Sequence, residues 1–95
     1  MRQIARVDRN QSEIVKAVRS VGASVLLLHR VGSGCPDLLV GRRGRNLLLE
    51  VKDGNRPPSE QKLTEDEQTF HATWPGHKAV VRNAKEAIHE VLQNS

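Results

Sequence analysis

The sequence predicts a small α/β domain: a mixed central sheet flanked by helices, with elements in the order αβββαβα. Two observations carry this. Short Val/Leu-rich runs alternate with segments of helical apolar spacing, and glycine or proline punctuates the joins. The triple Leu47-Leu48-Leu49 suits a strand covered on both faces. At 95 residues the chain makes a single domain, residues 1–95, with an adequate but modest core.

Residues 1–9, with Arg2, Arg6 and Arg9, read as a basic arm. Asn10 is a candidate cap for a helix running to about Val21. Ile14, Val18 and Val21 share its apolar face, and Gly22 stops it. Residues 23–29 form a first strand, and a glycine-containing loop, residues 31–35, follows. Two apolar runs around the basic turn Arg42-Arg43-Gly44-Arg45-Asn46 form a β-hairpin. Residues 53–59, with Gly54 and Pro57-Pro58, are a mobile-looking connection. Either Ser59 or Thr64 opens the second helix, which Pro75-Gly76 ends near Trp74. Residues 78–82 are a short strand. The last helix, residues 84–92, turns Ala84, Ala87, Ile88, Val91 and Leu92 inward. With Phe70 and Trp74 the only aromatic residues, the core must be aliphatic.

The hairpin carries the chemistry. Asp37 closes one end of its first strand, and Glu50-Val51-Lys52 close the second strand thirteen residues later. Side chains alternate along a strand, so Glu50 and Lys52 share a face and Val51 takes the other. A loop of residues 42–45 sets Asp37 opposite Glu50, and a loop of residues 43–46 sets it opposite Lys52. Either puts all three on one face, whereas an odd loop needs a bulge to do so. Opposed Cβ atoms lie roughly 4.5–5.5 Å apart, close enough for two carboxylates to share a cation. Two carboxylates with a nearby lysine can hold a divalent metal and a nucleophilic water, the equipment for phosphodiester hydrolysis. Each residue also has a plainer reading. Asp37 suits a turn cap after Pro36, Glu50 a salt bridge at the strand end, and Lys52 a solvated position at the sheet edge.

Other classes recede. The net charge of +4 suits a polyanionic partner but is common among small domains. The single cysteine, Cys35, cannot form an internal disulfide and fits a reducing compartment. It has no convincing His–acid pair to make it a nucleophile. The four histidines lack zinc-like spacing. The N-terminal segment has no apolar run of a signal peptide, and no run approaches membrane-spanning length. Arg42, Arg43 and Arg45 are either a solvated turn or, in a nuclease, a phosphate contact; the hairpin tip could serve a dimer interface instead.

Asp37, Glu50 and Lys52 resemble the core motif of the PD-(D/E)XK nuclease superfamily. Gly34-Cys35-Pro36-Asp37 looks like the G-x-P-D segment of its VRR-NUC family, and Glu50-Val51-Lys52 like that family's E-V-K segment. Lys62-Leu63-Thr64-Glu65-Asp66-Glu67-Gln68 resembles the start of the following helix. The likeness runs from about Asn10 to Leu92, and the compact, stand-alone, virus-type members are the nearest analogue. It implies a restriction-endonuclease-like core and a Mg²⁺- or Mn²⁺-dependent DNA endonuclease with no small-molecule cofactor. It implies Asp37, Glu50 and the Val51 carbonyl as metal ligands, and Lys52 as the residue that orients water. Glu13 is the candidate for an acid on the first helix, although Asn10-Gln11-Ser12-Glu13 is also a capping-box pattern. Gln68 is the candidate for a site-contacting helix glutamine, with Gln61 competing. The implied substrate is branched DNA, such as a four-way junction or a flap, in replication, recombination or repair. The implied compartment is the cytoplasm of a bacterial or phage-infected cell. A domain this small cleaves structured DNA more readily as a symmetric homodimer. A DNA-binding module or structural subunit that keeps the fold without the activity is the alternative.

Overall fold

The hairpin is the centre of the structure because its apolar residues alternate. A computed structural model describes residues 9–93. Strands β2 (Leu38–Arg42) and β3 (Arg45–Val51) pair antiparallel, with Leu38 opposite Leu49 and Val40 opposite Leu47. These four are buried, while Leu39 and Leu48 on the other face are only partly covered. The turn is tighter than predicted. Only Arg43 and Gly44 lie between the strands, and both have positive φ (52° and 80°), the signature of a type I′ turn. The turn stays even in length and is centred on Arg43-Gly44, so the register is the one that sets Asp37 opposite Glu50.

Helix α1 (Arg9–Ser20) precedes strand β1 (Ser24–Leu27), which pairs antiparallel with β2. The helix ends as Gly22 predicts: Gly22 has φ 91°, the Ala23 amide donates to the Val18 carbonyl, and the Gly22 amide donates to that of Arg19. These are the two bonds of a Schellman motif. After β3 come a 3₁₀ turn at Pro58–Glu60, helix α2 (Glu65–Thr73), strand β4 (Lys78–Val81) and helix α3 (Ala84–Gln93). Strand β4 runs parallel to β3, giving a four-stranded mixed sheet in the order β1-β2-β3-β4. The Cα radius of gyration, 12.8 Å, is what one compact domain of roughly 100 residues gives (~13 Å).

Helices α1 and α3 pack together on one face of the sheet. Ile14, Val18, Leu38, Leu49, Val81 and Ala87 are completely or almost completely buried there, and the core is aliphatic throughout. The other face carries α2, which buries none of its residues fully. Leu47-Leu48-Leu49 is therefore well covered on one face and thinly on the other.

Several sequence expectations are corrected. Arg9 is helical rather than part of an arm, and residues 1–8 lie outside the described residues. Asn10 sits inside the first turn of α1 instead of capping it. Strand β1 is shorter than residues 23–29, because the chain turns away after Leu27. Leu92 is 48% exposed rather than inward, since Ala87 and Val91 occupy the buried stripe of α3. Thr64, not Ser59, opens α2. Its hydroxyl accepts from the Glu67 amide, and Glu67 reaches back to the Thr64 amide, completing a capping box. Among the described residues no helix is long and apolar enough to cross a membrane.

Candidate functional site

The site forms where β2 begins and β3 ends. Asp37 lies one residue before β2, and its side chain continues the ladder: the Val51 amide donates to Asp37 Oδ2 (2.7 Å). The Leu28 amide donates to the Asp37 carbonyl (2.8 Å), fixing the same residue from the other side. One carboxylate oxygen is thus anchored by main chain. Glu50 follows Leu49 along β3 and turns to the opposite face, beside Asp37. It is only 2% exposed.

A carboxylate so placed is far from its ordinary chemistry. Burial, then the charge of Asp37, then that of Glu67 push the Glu50 carboxyl up to about 9. Asp37 is also raised, mainly by burial. A hydrogen bond between the two carboxyls favours a proton on Glu50. Glu50 Oε1 is buried without a hydrogen-bond partner.

Lys52, two residues on along the same face, supplies the positive charge. Its Nζ lies 2.8 Å from Glu67 Oε1 and 3.7 Å from Glu50 Oε2. Burial opposes its charge, but the bond to Glu67 and the surrounding carboxylates outweigh that and raise its pKa, so it is a firm ammonium. Glu67 is lowered despite burial, by Lys52 and the Thr64 amide. Three carboxylates against one ammonium leave the cluster electron-rich if all ionise.

Asn10 supports the site from α1: its Nδ2 donates to the Lys52 carbonyl (2.8 Å) and the Arg82 carbonyl (3.3 Å). Glu67 and Asn10 are the residues that sequence reasoning missed as site residues. The T-x-x-E pattern at Thr64–Glu67 signals the capping role of Glu67, but nothing local signals its bond to Lys52. Asn10 carries only the cap signal, which here misleads.

The remaining candidates fall elsewhere. Glu13 is exposed and makes no hydrogen bond or ion pair with Asp37 or Glu50. It lines a polar cavity of about 680 Å³ together with Arg9, Val51, Lys52 and Asp53. Gln68 is exposed and donates to the Leu63 carbonyl (3.1 Å), and Gln61 donates to the Arg56 carbonyl (2.7 Å); neither meets the carboxylates. Arg42 Nε donates to the Val21 carbonyl (3.0 Å), tying the hairpin to the end of α1, whereas Arg43 and Arg45 are exposed. Cys35 is beside the site, but burial, Glu50 and Asp37 all push its thiol up, against a thiolate nucleophile.

The donor set fits a hard divalent cation in one respect above all: a buried acid with an orphaned oxygen faces a second acid, and ionising both needs positive charge beyond Lys52. Among the described residues no three His, Cys, Asp or Glu side chains form a group that could ligate one ion. The protein side chains available as ligands are therefore Asp37 and Glu50, because Glu67 is engaged by Lys52 and the helix cap. No family model, no curated protein and no solved structure matches the chain.

Proposed function

We propose that this chain is a divalent-metal-dependent DNA endonuclease with a PD-(D/E)XK core of the VRR-NUC type. The observation that carries the reading is buried Glu50 paired with half-buried Asp37, with Lys52 beside them. A purely structural acid pair is poorly served by this placement: burial penalises its charge and Glu50 Oε1 has no partner, the hydrogen bond between the two carboxyls being its one compensation. A cation shared by the two acids relieves both penalties.

Asp37, Glu50 and the Val51 carbonyl would hold Mg²⁺ or Mn²⁺. When bound, the cation supplies Lewis-acid polarisation of the phosphate and acidification of water. Asp37 contributes an oxygen already oriented by the Val51 amide. Lys52, fixed by Glu67 and by Asn10 at its carbonyl, presents a permanent positive charge. Its raised pKa makes it a donor that orients water and offsets charge developing on the phosphate, not a base. Arg43 and Arg45, at the far end of the hairpin, are phosphate contacts. The substrate is branched or flapped DNA, and the working form is a homodimer.

The test is incubation of purified protein with linear, flapped and four-way DNA, with and without Mg²⁺ or Mn²⁺, beside the Glu50→Gln variant. Metal-dependent cleavage by the wild type alone is expected. Equal cleavage by both proteins, or none by either with any DNA, rejects the proposal. Sedimentation at about twice the 10.6 kDa chain mass tests the dimer.

A further inference from the structure

The chain's one Phe and one Trp are absent from its aliphatic core. Phe70 stands on α2 and Trp74 is the residue that closes it, on the thinly covered side of the sheet. Phe70 and Trp74 stack with ring centroids 5.1 Å apart and planes 15° apart, and Trp74 remains 45% exposed. They form the wall of a groove of about 730 Å³ whose floor includes Leu39 and Leu48. At Gly76 a Cβ would come within 2.8 Å of the indole nitrogen, so the bare glycine leaves room for the ring.

The groove lies on the same sheet face as the acid pair, one alternation step away, although neither acid lines it. Leu39 lies two residues beyond Asp37 and Leu48 two before Glu50, so alternation puts all four on one face, about 7 Å per step. Phe70 follows Glu67 by three residues on one stripe of α2, and Trp74, the extended residue that closes the helix, stacks on Phe70. The same stripe that clamps Lys52 therefore carries the aromatic stack. Lys78 Nζ donates to the Trp74 carbonyl (2.8 Å), placing an ammonium beside the residue that carries the indole. A flat apolar slot with a stacked indole and the Lys78 ammonium beside it, on a chain of net charge +4, is complementary to a flat ring carried on an anionic backbone.

We infer that this groove takes an unstacked nucleobase of the DNA substrate, beside the phosphate that a cation on Asp37 and Glu50 would hold. The identity of the substrate rests on the nuclease reading above. Bases within intact duplex stay stacked and cannot enter. The substrate class is therefore DNA with an unpaired nucleotide next to the scissile position, as at a flap or junction.

Trp74 is the chain's only tryptophan, so its emission reports the groove directly. The probes are three duplexes in EDTA: fully paired, with one extra unpaired adenine, and with an abasic residue in its place. Emission should be quenched strongly by the unpaired adenine and weakly by the other two. Trp74→Leu should weaken binding of the adenine-bearing DNA roughly five- to one-hundred-fold and leave paired duplex unaffected, and Trp74→Phe should restore most of the affinity. Equal quenching by the adenine and abasic probes, or equal weakening of all three by Trp74→Leu, overturns the inference. So does a Trp74→Leu shift in monomer–dimer equilibrium with base affinity unchanged, which would assign the groove to a second copy of the chain. Glu50-dependent cleavage with no Trp74 dependence overturns this inference alone. Base-specific quenching without cleavage in Mg²⁺ or Mn²⁺ supports the groove and removes the nuclease reading.

Discussion

Replacing Glu50 by glutamine should make the metal-free protein more stable while ending the proposed cleavage. In the folded chain Glu50 keeps its proton to about pH 9, against an ordinary 4.5. The folded state therefore binds one more proton than the unfolded state between those values, and stability falls as pH rises through that window. At pH 7.5 the deficit spans about three pH units, or roughly 4 kcal/mol relative to pH 4.5 at 1.36 kcal/mol per unit. Glutamine does not titrate and escapes it. Its amide sits near the Lys52 ammonium, 3.7 Å from Glu50 Oε2 in the wild type, which offsets part of the gain. A net gain on the order of 2–4 kcal/mol, or upwards of about 10 °C in Tm for a domain this size, is expected. Asp37 is raised too and hydrogen-bonds to Glu50, so the difference between the two curves reports the titration of the acid pair. The assay is urea or thermal unfolding of both proteins in EDTA from pH 5 to 9. Parallel pH profiles would refute the reasoning, because Glu50 would then be ionised in the folded state at no special penalty.

Further outcomes follow from the same geometry. Saturating Mn²⁺, at about 100 times its Kd, should stabilise the wild type by roughly 2.7 kcal/mol and leave the Asp37→Ala, Glu50→Ala double variant unmoved in a thermal-shift assay. Glu67→Gln removes the charge from the 2.8 Å bond to Lys52, so single-turnover cleavage should fall about tenfold and stability by about 1–2 kcal/mol. The stability increment is present above pH 4.5 and lost as pH falls through the lowered folded pKa, so wild type and variant should converge in acid. Gly34→Ala places a Cβ against the Asp66 carbonyl at a residue with φ 78°, which should cost about 2–3 kcal/mol by denaturant titration. Arg43→Ala with Arg45→Ala should lower the log–log salt slope of duplex binding by roughly 0.9 per lost phosphate contact, with bound-substrate cleavage rates unchanged.

What the sequence by itself determined is whatever depends on near neighbours in the chain. Alternation along the two hairpin strands assigned Leu38, Val40, Leu47 and Leu49 to the core and brought Asp37, Glu50 and Lys52 to the other face. An even turn preserves that parity, so the register held although the turn proved to be only Arg43-Gly44. Gly22 and Thr64 ended and opened their helices through bonds reaching no more than five residues. Only the tertiary structure decided that Glu67 holds Lys52 across fifteen residues, and that Asn10 is drawn from a cap to the Lys52 carbonyl across forty-two. It also decided that Leu92 stays in solvent and that one sheet face is left thinly covered. The charge state of Glu50 belongs to the same class. An acid's proton affinity depends on the water it has lost and the charges around it, and both are set by which elements pack together, which no local pattern encodes.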